Sequence, residues 1–450
     1  MIIFWLSVWQ VFTLVIHNPI LLSGPLEVLA YLQGHILTVS FWKTVGNSFL
    51  HIFAGFALSF VTGFFLGILS AGYSFLESLL SPLLQFIKAV PVASFVVLLL
   101  IWAGSGRLSV SVTFLMVLPI IYQNVLEGVK NTDADLLEMA QVFRMPLWNR
   151  IFFIYRPSLM PFLLSGSKVA LGMSFKAGIA AEVIGTPDFS IGERIYMSKI
   201  YLDTAGLFAW TLVVIFLSFL FEKIFLRLLF FIGRAKIKAV PMKIKKEKKG
   251  SGDIAVEDLT KYYGEKMVFN SRTQAFGNGG VYALMGESGC GKTTLFRILL
   301  GLTDQSGGNV TGQKGRCGVV FQENRLCKGE TPVSNVCMAL KKGRTRKEIE
   351  HSLLEILPKE CLEQETGQLS GGMKRRVAIA RALLCDSEWL ILDEPFTGLD
   401  EETKKKTIDF ILRHRNGRTM LVSTHQRQEA ELLGAELVIW KEGQEVFHGK

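Results

Sequence analysis

Apolar residues dominate the chain up to about residue 232, whereas charged residues, glycine and threonine become frequent after it. Six segments in the first half are apolar over the roughly 20 residues that a helix needs to cross a bilayer. They lie near residues 2–22, 46–70, 83–103, 108–128, 162–186 and 205–232. The first has no basic residue ahead of it, which favours a retained helix over a cleaved signal peptide. The pattern predicts a multi-domain, multi-pass membrane protein with an N-terminal all-α, six-helix transmembrane domain at 1–233.

A strongly basic run, GRAKIKAVPMKIKKEKKGSG, follows the sixth apolar segment. Positive charge concentrates on the cytoplasmic side of membrane proteins, so this run, the loop at 129–161 and both termini are predicted to be cytoplasmic. We expect a basic linker at 234–251, followed by a soluble α/β domain at 252–450. The run would act as a topology signal and a tether, and a binding site for anionic membrane lipid is the alternative.

Cysteine usage and the spacing of small residues refine this picture. The chain has 450 residues, a net charge of +10 and six cysteines, all of them in the soluble half. The absence of CxxC spacing indicates reduced cytosolic thiols rather than a disulfide framework or a zinc site. In the second apolar segment small residues recur at every fourth position, which predicts a helix-packing face. They are Gly55, Ser59, Gly63 and Gly67.

The segment GESGCGKTT carries the most specific chemical signal of the soluble half. It matches the phosphate loop G-x-x-x-x-G-K-[ST], and it lies between a strand-like VYALM and a helix-like LFRILLGL, as that motif requires. Glycines let backbone N–H groups turn towards phosphate oxygens, and the helix N-terminus adds partial positive charge. Lys292 would neutralise the β- and γ-phosphates of ATP, and Thr293 would bind Mg²⁺. The predicted loop residues are Gly286, Glu287, Ser288, Gly289, Cys290, Gly291, Lys292, Thr293 and Thr294.

A second phosphate-site element is EWLILDEP, at residues 388–395. Four consecutive apolar residues are typical of a central strand buried on both faces. Asp393 and Glu394 follow at its carboxyl end, where open α/β sheets bind ligands. Asp393 would hold Mg²⁺, and Glu394 would polarise the attacking water as a general base.

Between these elements lies LSGGMKRRVAIARALL, in which Ser370 and two glycines precede a periodic apolar run typical of a capped helix. In this order, the motifs resemble those of ATP-binding-cassette (ABC) ATPases over about 252–450. The resemblance implies a P-loop α/β ATPase that uses ATP and Mg²⁺. Met373 departs from it, because many members carry Gln after LSGG. The resemblance implies that Tyr263 stacks on adenine, that Gln322 contacts Mg²⁺ and that His425 holds the γ-phosphate. It also implies that Asp400 lies at the dimer contact and that the nucleotide is bound by Ser370, Gly371 and Gly372. The catalytic residues would be Glu394, His425 and Lys292.

In this family each ATP lies between the phosphate loop of one subunit and the LSGG segment of another. The chain has one of each, so a single copy cannot complete a site. We therefore expect a symmetric homodimer, because a two-fold interface forms both sites at once.

The sequence DLLEMAQVFRMPLWNRIFFIYRPSLMP, at 135–161, resembles the cytoplasmic "EAA" loop of bacterial importer permeases. Glu138 and Ala140 match the start of that loop, and Pro157 and Pro161 match its end. The segments LPIIYQNVLEGVKNTDADLL and AAEVIG narrow the resemblance to sulfonate/nitrate/taurine-type permeases over most of 40–232. The resemblance implies a type I importer-like permease domain in the bacterial cytoplasmic membrane.

That loop would be the coupling helix, resting on the ATPase near the Gln322 loop. We expect Phe143, Leu147 and Trp148 to fill a groove while the charges stay at its rim. Arg144 stands where the family usually has the glycine that allows the turn, and Pro146 would take over that function. A lipid-surface amphipathic loop is the alternative.

The fifth apolar segment contains Lys168, Lys176 and Glu182. Ionisable residues within a membrane segment are costly and usually face a cavity or a partner. They would line an anion pathway, or else pair with one another or snorkel, and the sequence leaves both interpretations open.

The first functional hypothesis is an ATP-driven homodimeric importer of a small anionic or polar solute. Its expected partners are a separate extracellular solute-binding protein, the solute and membrane lipid, with no nucleic acid. An exporter or lipid flippase is the second hypothesis; the only sizeable cytoplasmic loop has about 30 residues, which favours import. A non-transporting regulatory membrane ATPase is the third.

Overall fold

A computed structural model describes residues 2–16, 18, 20–235, 239, 253–313, 315–340 and 344–440. Its contacts divide the chain into two compact units. The helical unit comprises Met1–Thr132 and Ser158–Ala235, and the α/β unit comprises Asp133–Pro157 and Lys236–Lys450. Most of the predicted basic linker at 234–251 falls outside the described residues.

The helical unit consists of nine helices among its described residues, which agrees with the predicted all-α domain. They are α1 (Ile2–Ile16), α2 (Pro25–His35), α3 (Val39–Gly72), α4 (Ser74–Ala89), α5 (Val92–Ala103), α6 (Ser105–Lys130), α9 (Arg156–Gly185), α10 (Ile191–Ile200) and α11 (Thr204–Arg234). Helices α7 and α8 belong to the α/β unit and are described below.

The six predicted spans take different forms in the described residues. By length and composition, α3, α6 and α11 can each cross a membrane, and α4 with α5 would make a fourth span bent by 103°. The bend falls at Val90–Pro91, because proline disfavours helix at the residue before it. Helix α1 is apolar but has only 15 residues. Helix α9 has 30 residues, but it carries charged and small polar side chains in its interior.

Small residues of α3 lie directly against α6, which confirms the predicted packing face. A Cβ atom added at Gly55 or Gly67 would collide with atoms of α6, and one added at Gly63 would lie only 3.1 Å from Ile121 and Tyr122 of the same helix. Ser59 Oγ donates a hydrogen bond to the Phe114 carbonyl of α6 at 2.8 Å. The two helices therefore approach closely along several turns, as small-xxx-small spacing allows.

The α/β unit contains two sheets. Its strands are β1 (Ile254–Tyr263), β2 (Lys266–Phe276), β3 (Val281–Met285), β4 (Gly307–Thr311), β5 (Cys317–Val320), β6 (Trp389–Asp393), β7 (Thr419–Ser423) and β8 (Glu436–Ile439). A three-stranded antiparallel sheet has the order β2-β1-β4, and a five-stranded parallel sheet has the order β5-β6-β7-β3-β8. Every residue of β6 is buried, as the apolar run WLILD predicted.

Six helices follow the strands of this unit in the described part of the chain: α12 (Lys292–Leu299), α13 (Pro332–Cys337), α14 (Arg346–Leu354), α15 (Gly371–Leu384), α16 (Glu401–His414) and α17 (Arg427–Leu432). Since the five central strands are parallel, the carboxyl ends of β3, β6 and β7 meet at one edge of the sheet. The fold therefore brings together the loops that follow these three strands, although they are distant in sequence.

Residues 133–157, which we call the docking segment, pack within the α/β unit. The segment contains α7 (Ala134–Val142), α8 (Leu147–Arg150) and a π-helical turn (Ile151–Tyr155). Its buried side chains join the same apolar core as residues of the phosphate-loop helix and the central sheet. These side chains are Met139, Ala140, Phe143, Met145, Phe153 and Ile154.

Two predicted groove-filling residues of the docking segment are exposed, so that prediction was wrong for them. Leu147 and Trp148 are 75% and 51% exposed, whereas Phe143 is 3% exposed. The reason is geometric: the helix direction changes after Phe143, and α8 buries Asn149 instead. Asn149 Nδ2 lies 3.5 Å from the Met338 carbonyl oxygen.

The turn after α7 is made by Arg144 itself and not by the proline. Arg144 adopts a φ of 49°, the left-handed conformation that glycine adopts most easily. The Arg144 and Met145 N–H groups donate to the Gln141 and Ala140 carbonyls at 2.9 and 2.8 Å. This is the hydrogen-bond pattern of a Schellman C-cap. Pro146 is then the N-cap of α8, one residue before the first helical position in which the sequence predicted it.

Candidate functional site

The phosphate loop joins β3 to α12 as the motif predicted. Gly289 and Gly291 have φ values of 88° and 96°, which a residue with a Cβ adopts only under strain. The Lys292 ammonium is buried and donates to the Gly286 and Glu287 carbonyls at 2.8 and 3.0 Å. The loop therefore surrounds the side chain of Lys292, and the positive charge of this lysine lies close to the N-terminus of α12.

Asp393, at the end of β6, faces the first turn of α12. Thr293 Oγ1 donates to Asp393 Oδ2 at 3.0 Å, and Ser423 Oγ donates to Asp393 Oδ1 at 2.5 Å. Burial raises the pKa of Asp393, and the hydrogen bonds from Ser423 and Thr293 offset only part of this effect. A cation at this carboxylate would favour its ionised form.

Thr293, Asp393 and Gln322 also line one cavity of about 250 Å³. In the described part of the chain, no three His, Cys, Asp or Glu side chains are grouped so that they could hold a metal ion by themselves. A hydroxyl, a carboxylate and an amide oxygen are, however, the hard ligands that Mg²⁺ accepts when phosphate oxygens and water complete its shell. The three predicted metal ligands fit Mg²⁺ in their chemistry and in the cavity that they share.

Glu394 occupies a strained position beside His425. Its φ is 48°, unusual for a residue other than glycine, and its N–H donates to Ser423 Oγ at 2.9 Å. His425 Nε2 lies 3.0 Å from Glu394 Oε1. Such strain persists only where surrounding contacts enforce it, and it clusters at functional sites. The fold thus fixes the carboxylate and the imidazole of these two predicted catalytic residues against each other.

The LSGG segment opens into a different cavity. Ser370 caps α15, its Oγ accepting from the Met373 N–H at 3.3 Å. Ser370, Gly371, Gly372 and Asp400 line a cavity of about 540 Å³, which shares no lining residue with the cavity at Thr293 and Asp393. Within one copy of the chain these two cavities are therefore separate.

Asp400 and Tyr263 differ in their relation to these cavities, because only Asp400 lines one of them. Asp400 caps α16, and the hydrogen bond from the Thr403 N–H holds the pKa of this carboxyl below its usual range. Tyr263 ends β1, half exposed, with Lys261 Nζ 4.7 Å from its ring centroid. It lines neither of the two cavities, so its predicted stacking on adenine stays a prediction.

Comparison with known proteins supports the reading of both halves. A family model described as ABC transporter matches residues 270–397. Another, described as binding-protein-dependent transport system inner membrane component, matches residues 60–229. The aliphatic sulfonates import ATP-binding protein of Paracoccus denitrificans is 34% identical over 194 residues, 42% of this chain and 80% of that relative. The chain belongs to the ABC transporter family.

Other relatives of this ABC transporter chain have different stated roles. The sulfate/thiosulfate import ATP-binding protein of Neisseria meningitidis is 32% identical over 211 residues; the match spans 42% of the chain and 59% of that relative's length. The Nod factor export ATP-binding protein I of a Rhizobium species is 34% identical over 215 residues, 44% of the chain and 70% of the relative. A dimeric bacterial ABC transporter cassette of known structure is 28% identical and covers 44% of the chain, with a TM-score of 0.39.

The ABC cassette holds the docking segment with a group of ion pairs. Glu138 accepts from Arg297 at 2.5 and 3.0 Å and from Arg325 at 2.8 Å. Arg325 also pairs with Asp135 at 2.8 Å. Partial burial alone would raise the pKa of Glu138, but the hydrogen bonds and charges of Arg297 and Arg325 outweigh it and hold that pKa below its ordinary value.

The position of these arginines connects the docking segment to the nucleotide site. Arg297 lies in α12, five residues after Lys292, and Arg325 follows Gln322 by three residues. One carboxylate of the docking segment thus bridges the phosphate-loop helix and the Gln322 loop. The side chain of Arg325 is only 5% exposed, whereas that of Glu138 is 26% exposed. A buried arginine is tolerated there because two carboxylates pair with it.

Sequence reasoning missed two arginines of α15 that support the Gln322 loop. Arg375 donates to the Phe321 and Gln322 carbonyls at 2.6 and 2.5 Å. Arg381 donates to the Arg325 carbonyl at 2.8 Å and lies 5.0 Å from the ring centroid of Phe143. Burial lowers the pKa of Arg381 to about 10, so it stays protonated at neutral pH. The sequence signal that could have identified these two arginines is the presence of basic residues at core-facing positions of an apolar helix.

Proposed function

We propose that two copies of this chain form an ATP-driven importer of a small anionic or polar solute. The importer would lie in the bacterial cytoplasmic membrane, with the cassettes and both termini in the cytoplasm and with membrane lipid around the helical unit. A separate extracellular binding protein would deliver the solute. ATP hydrolysis in the cassettes would drive the cycle.

One observation carries the proposal: the docking segment is built into the cassette. The segment contributes six buried apolar side chains to the cassette core. Its Glu138 binds arginines of both the phosphate-loop helix and the Gln322 loop. A movement of either element is therefore transmitted to residues that continue directly into α6 and α9 of the permease half.

The two separate cavities support a homodimer, in which each would be one half of an ATP site. In a two-fold pair, the LSGG cavity of one copy would face the phosphate loop of the other, and both ATP sites would form together. Asp400, beside the LSGG cavity, would contact the second copy. The buried Lys292 and the N–H groups of the loop would hold the β- and γ-phosphates.

Hydrolysis would use the residues fixed at the end of β6. Glu394 would accept a proton from the attacking water, and His425 would hold the γ-phosphate and orient that carboxylate. Mg²⁺, when bound, would neutralise phosphate charge, and Thr293, Asp393 and Gln322 would hold it. Removal of the γ-phosphate would reopen the dimer, and the docking segments would move back together with the cassettes.

An exporter is the second candidate, because a relative named for Nod factor export matches the cassette as well as the import relatives do. The cassette therefore does not decide the direction of transport. The permease half favours import, since its match is to the inner membrane component of binding-protein-dependent systems.

Reconstitution into proteoliposomes tests the proposal. Solutes would be offered on the outside together with candidate binding proteins, and ATP would be sealed inside with the cassettes. The panel would contain sulfate, thiosulfate, aliphatic sulfonates, taurine and nitrate. We expect ATP-dependent accumulation of one of them, abolished in Glu394→Gln. ATP-driven efflux, or ATP hydrolysis without movement of solute, would favour the exporter or the regulatory ATPase.

A further inference from the structure

Helix α9 presents an exposed face that differs from those of the other long helices. One side of α9 is buried in the helical unit, through residues such as Leu163, Leu171 and Phe175. The opposite side is exposed and carries two lysines eight residues apart, or about 12 Å along a helix. Its exposed positions include Ser165, Lys168, Lys176 and Ala180.

The depth of the two lysines follows from contacts of α9 with α6. A Cβ atom at Gly166 would collide with Asn124, and Thr113 Oγ1 lies 3.5 Å from the Ser174 carbonyl oxygen. Asn124 and Thr113 are six and eight residues from the nearer ends of α6, or about 9 and 12 Å. Lys168 follows Gly166 by two residues, and Lys176 follows Ser174 by two residues. Both therefore lie at levels where α6 is within the apolar layer, not at its surface.

Lipid is a poor environment for this face. Charged side chains inside a bilayer are costly and almost always face a water-filled cavity or a partner. Between Leu212 and Leu220 the exposed positions of α11 are all large and apolar, as expected of a lipid-facing surface, and its exposed Lys223 and Arg227 follow nearer its C-terminal end. The exposed face of α9 also has apolar side chains at Val169 and Ile184, but it places two lysines and the small Ser165 and Ala180 between its ends, which suits a second helix or an aqueous path.

The acidic residue of α9 does not neutralise the lysines. Glu182 is fully buried, and it accepts from Ser48 Oγ at 2.7 Å and from the Gly192 N–H at 3.2 Å. Neither lysine has an ion pair within the described ranges of the chain. The alternative in which the three ionisable residues pair with one another is therefore wrong for this structure.

We infer that Lys168 and Lys176 line the solute path and bind the negatively charged group of an anionic solute, such as a sulfonate, a sulfate or a carboxylate. The inference rests on the proposed function, since a path needs two copies of the helical unit. A two-fold pair would place four ammonium groups along one path. The inference derives the class of solute from these two lysines, which are not part of the ATP site.

Charged thiol reagents test this inference without knowledge of the natural solute. The full-length chain with Lys168→Cys would be reconstituted and treated with 2-sulfonatoethyl methanethiosulfonate or with its trimethylammonium analogue. Mass spectrometry of the labelled peptide separates this position from the six native cysteines. We expect the anionic reagent to react at least tenfold faster than the cationic one, after correction for their rates with a free thiol. Adding Lys176→Met should reduce that preference at least threefold.

Matched variants complete the test. Ile215→Cys on the apolar face of α11 should react with neither reagent, and Lys223→Met, which removes a lysine from α11, should leave the preference unchanged. The reciprocal pair, Lys176→Cys with Lys168→Met, repeats the measurement if the first variant folds poorly. Labelling of Lys168→Cys as slow as that of Ile215→Cys, or equal rates for both reagents, would overturn the inference.

The labelling does not depend on ATP turnover, so the two proposals fail separately. Absent labelling with intact ATP-driven uptake would refute the anion path alone. Charge-selective labelling without ATP-driven uptake would support the path and count against import.

Discussion

Removing the charge of Glu138 should loosen the docking segment while leaving the ATP site intact. Glu138→Gln keeps the size of the side chain but removes its charge, and one of the two oxygens that accept the three hydrogen bonds from arginine, at 2.5, 2.8 and 3.0 Å, becomes an NH2 group that cannot accept. A hydrogen bond to a charged group contributes about 1.5–3 kcal/mol, against about 0.5–1.5 kcal/mol for a neutral one. Because Glu138 is partly exposed, we expect a total loss of about 2 kcal/mol, or about 30-fold in a local equilibrium.

Hydrogen–deuterium exchange measures this loss directly, because amides of α7 exchange when the segment opens locally. Exchange at the amides of Leu137 to Val142 should accelerate about 30-fold, and α14 should be unaffected. In proteoliposomes, ATP hydrolysis should continue while solute moved per ATP falls. An acceleration below threefold would refute the idea that Glu138 fastens the segment.

The pH dependence has a defined sign. The pKa of Glu138 is lowered in the fold, so its contribution is fully present above the ordinary glutamate pKa and is lost as pH falls through the lower folded value. The difference between the wild type and Glu138→Gln should therefore be constant from pH 8 to pH 6.

Two controls isolate the effect of the carboxylate. Glu350→Gln breaks an exposed helical pair with Arg346, whose N···O distance is 2.9 Å, and should change local exchange by about twofold at most. Arg297→Met combined with Glu138→Gln gives a double-mutant cycle. Strictly additive effects would mean that the two side chains do not interact.

Three further predictions concern single residues. Glu394→Gln should trap an ATP-bound dimer and lower turnover at least a hundredfold; turnover within twofold of wild type would show that Glu394 is not the general base. Alkylation of Cys290, whose Sγ lies 3.6 Å from Lys292 Nζ, should block ATP hydrolysis unless ATP is bound first, and Cys290→Ala should resist the reagent; inhibition of that variant would contradict the explanation. At the left-handed position of Arg144, Arg144→Asn should keep the turn about 1 kcal/mol more stable than Arg144→Val, seen as about fivefold slower opening in hydrogen exchange; equal rates would contradict it.

Local sequence patterns were sufficient to predict the elements of the nucleotide site. The phosphate loop forms where a buried strand meets a helix, and its glycines adopt the φ values that only glycine adopts freely. The same holds for β6, in which an apolar run determines burial and delivers Asp393 to the edge of the sheet. These features depend on neighbouring residues along the chain, so the sequence contains all the information that they require.

Tertiary contacts decided which side chains of the docking segment and of α9 are buried and which are exposed. The exposure of Leu147 and Trp148 depends on the turn at Arg144, a residue that adopts a glycine conformation because the surrounding hydrogen bonds enforce it. The partners of Glu138 lie 159 and 187 residues away.

The sequence by itself determined that one chain combines apolar, membrane-crossing helices with an ATP-binding cassette, because composition and short motifs suffice for that. Only the tertiary structure decided that Lys168 and Lys176 share an exposed face while Glu182 turns to Ser48. The physical reason is that burial and charge pairing are properties of pairs of distant segments, and no local pattern specifies which segments meet.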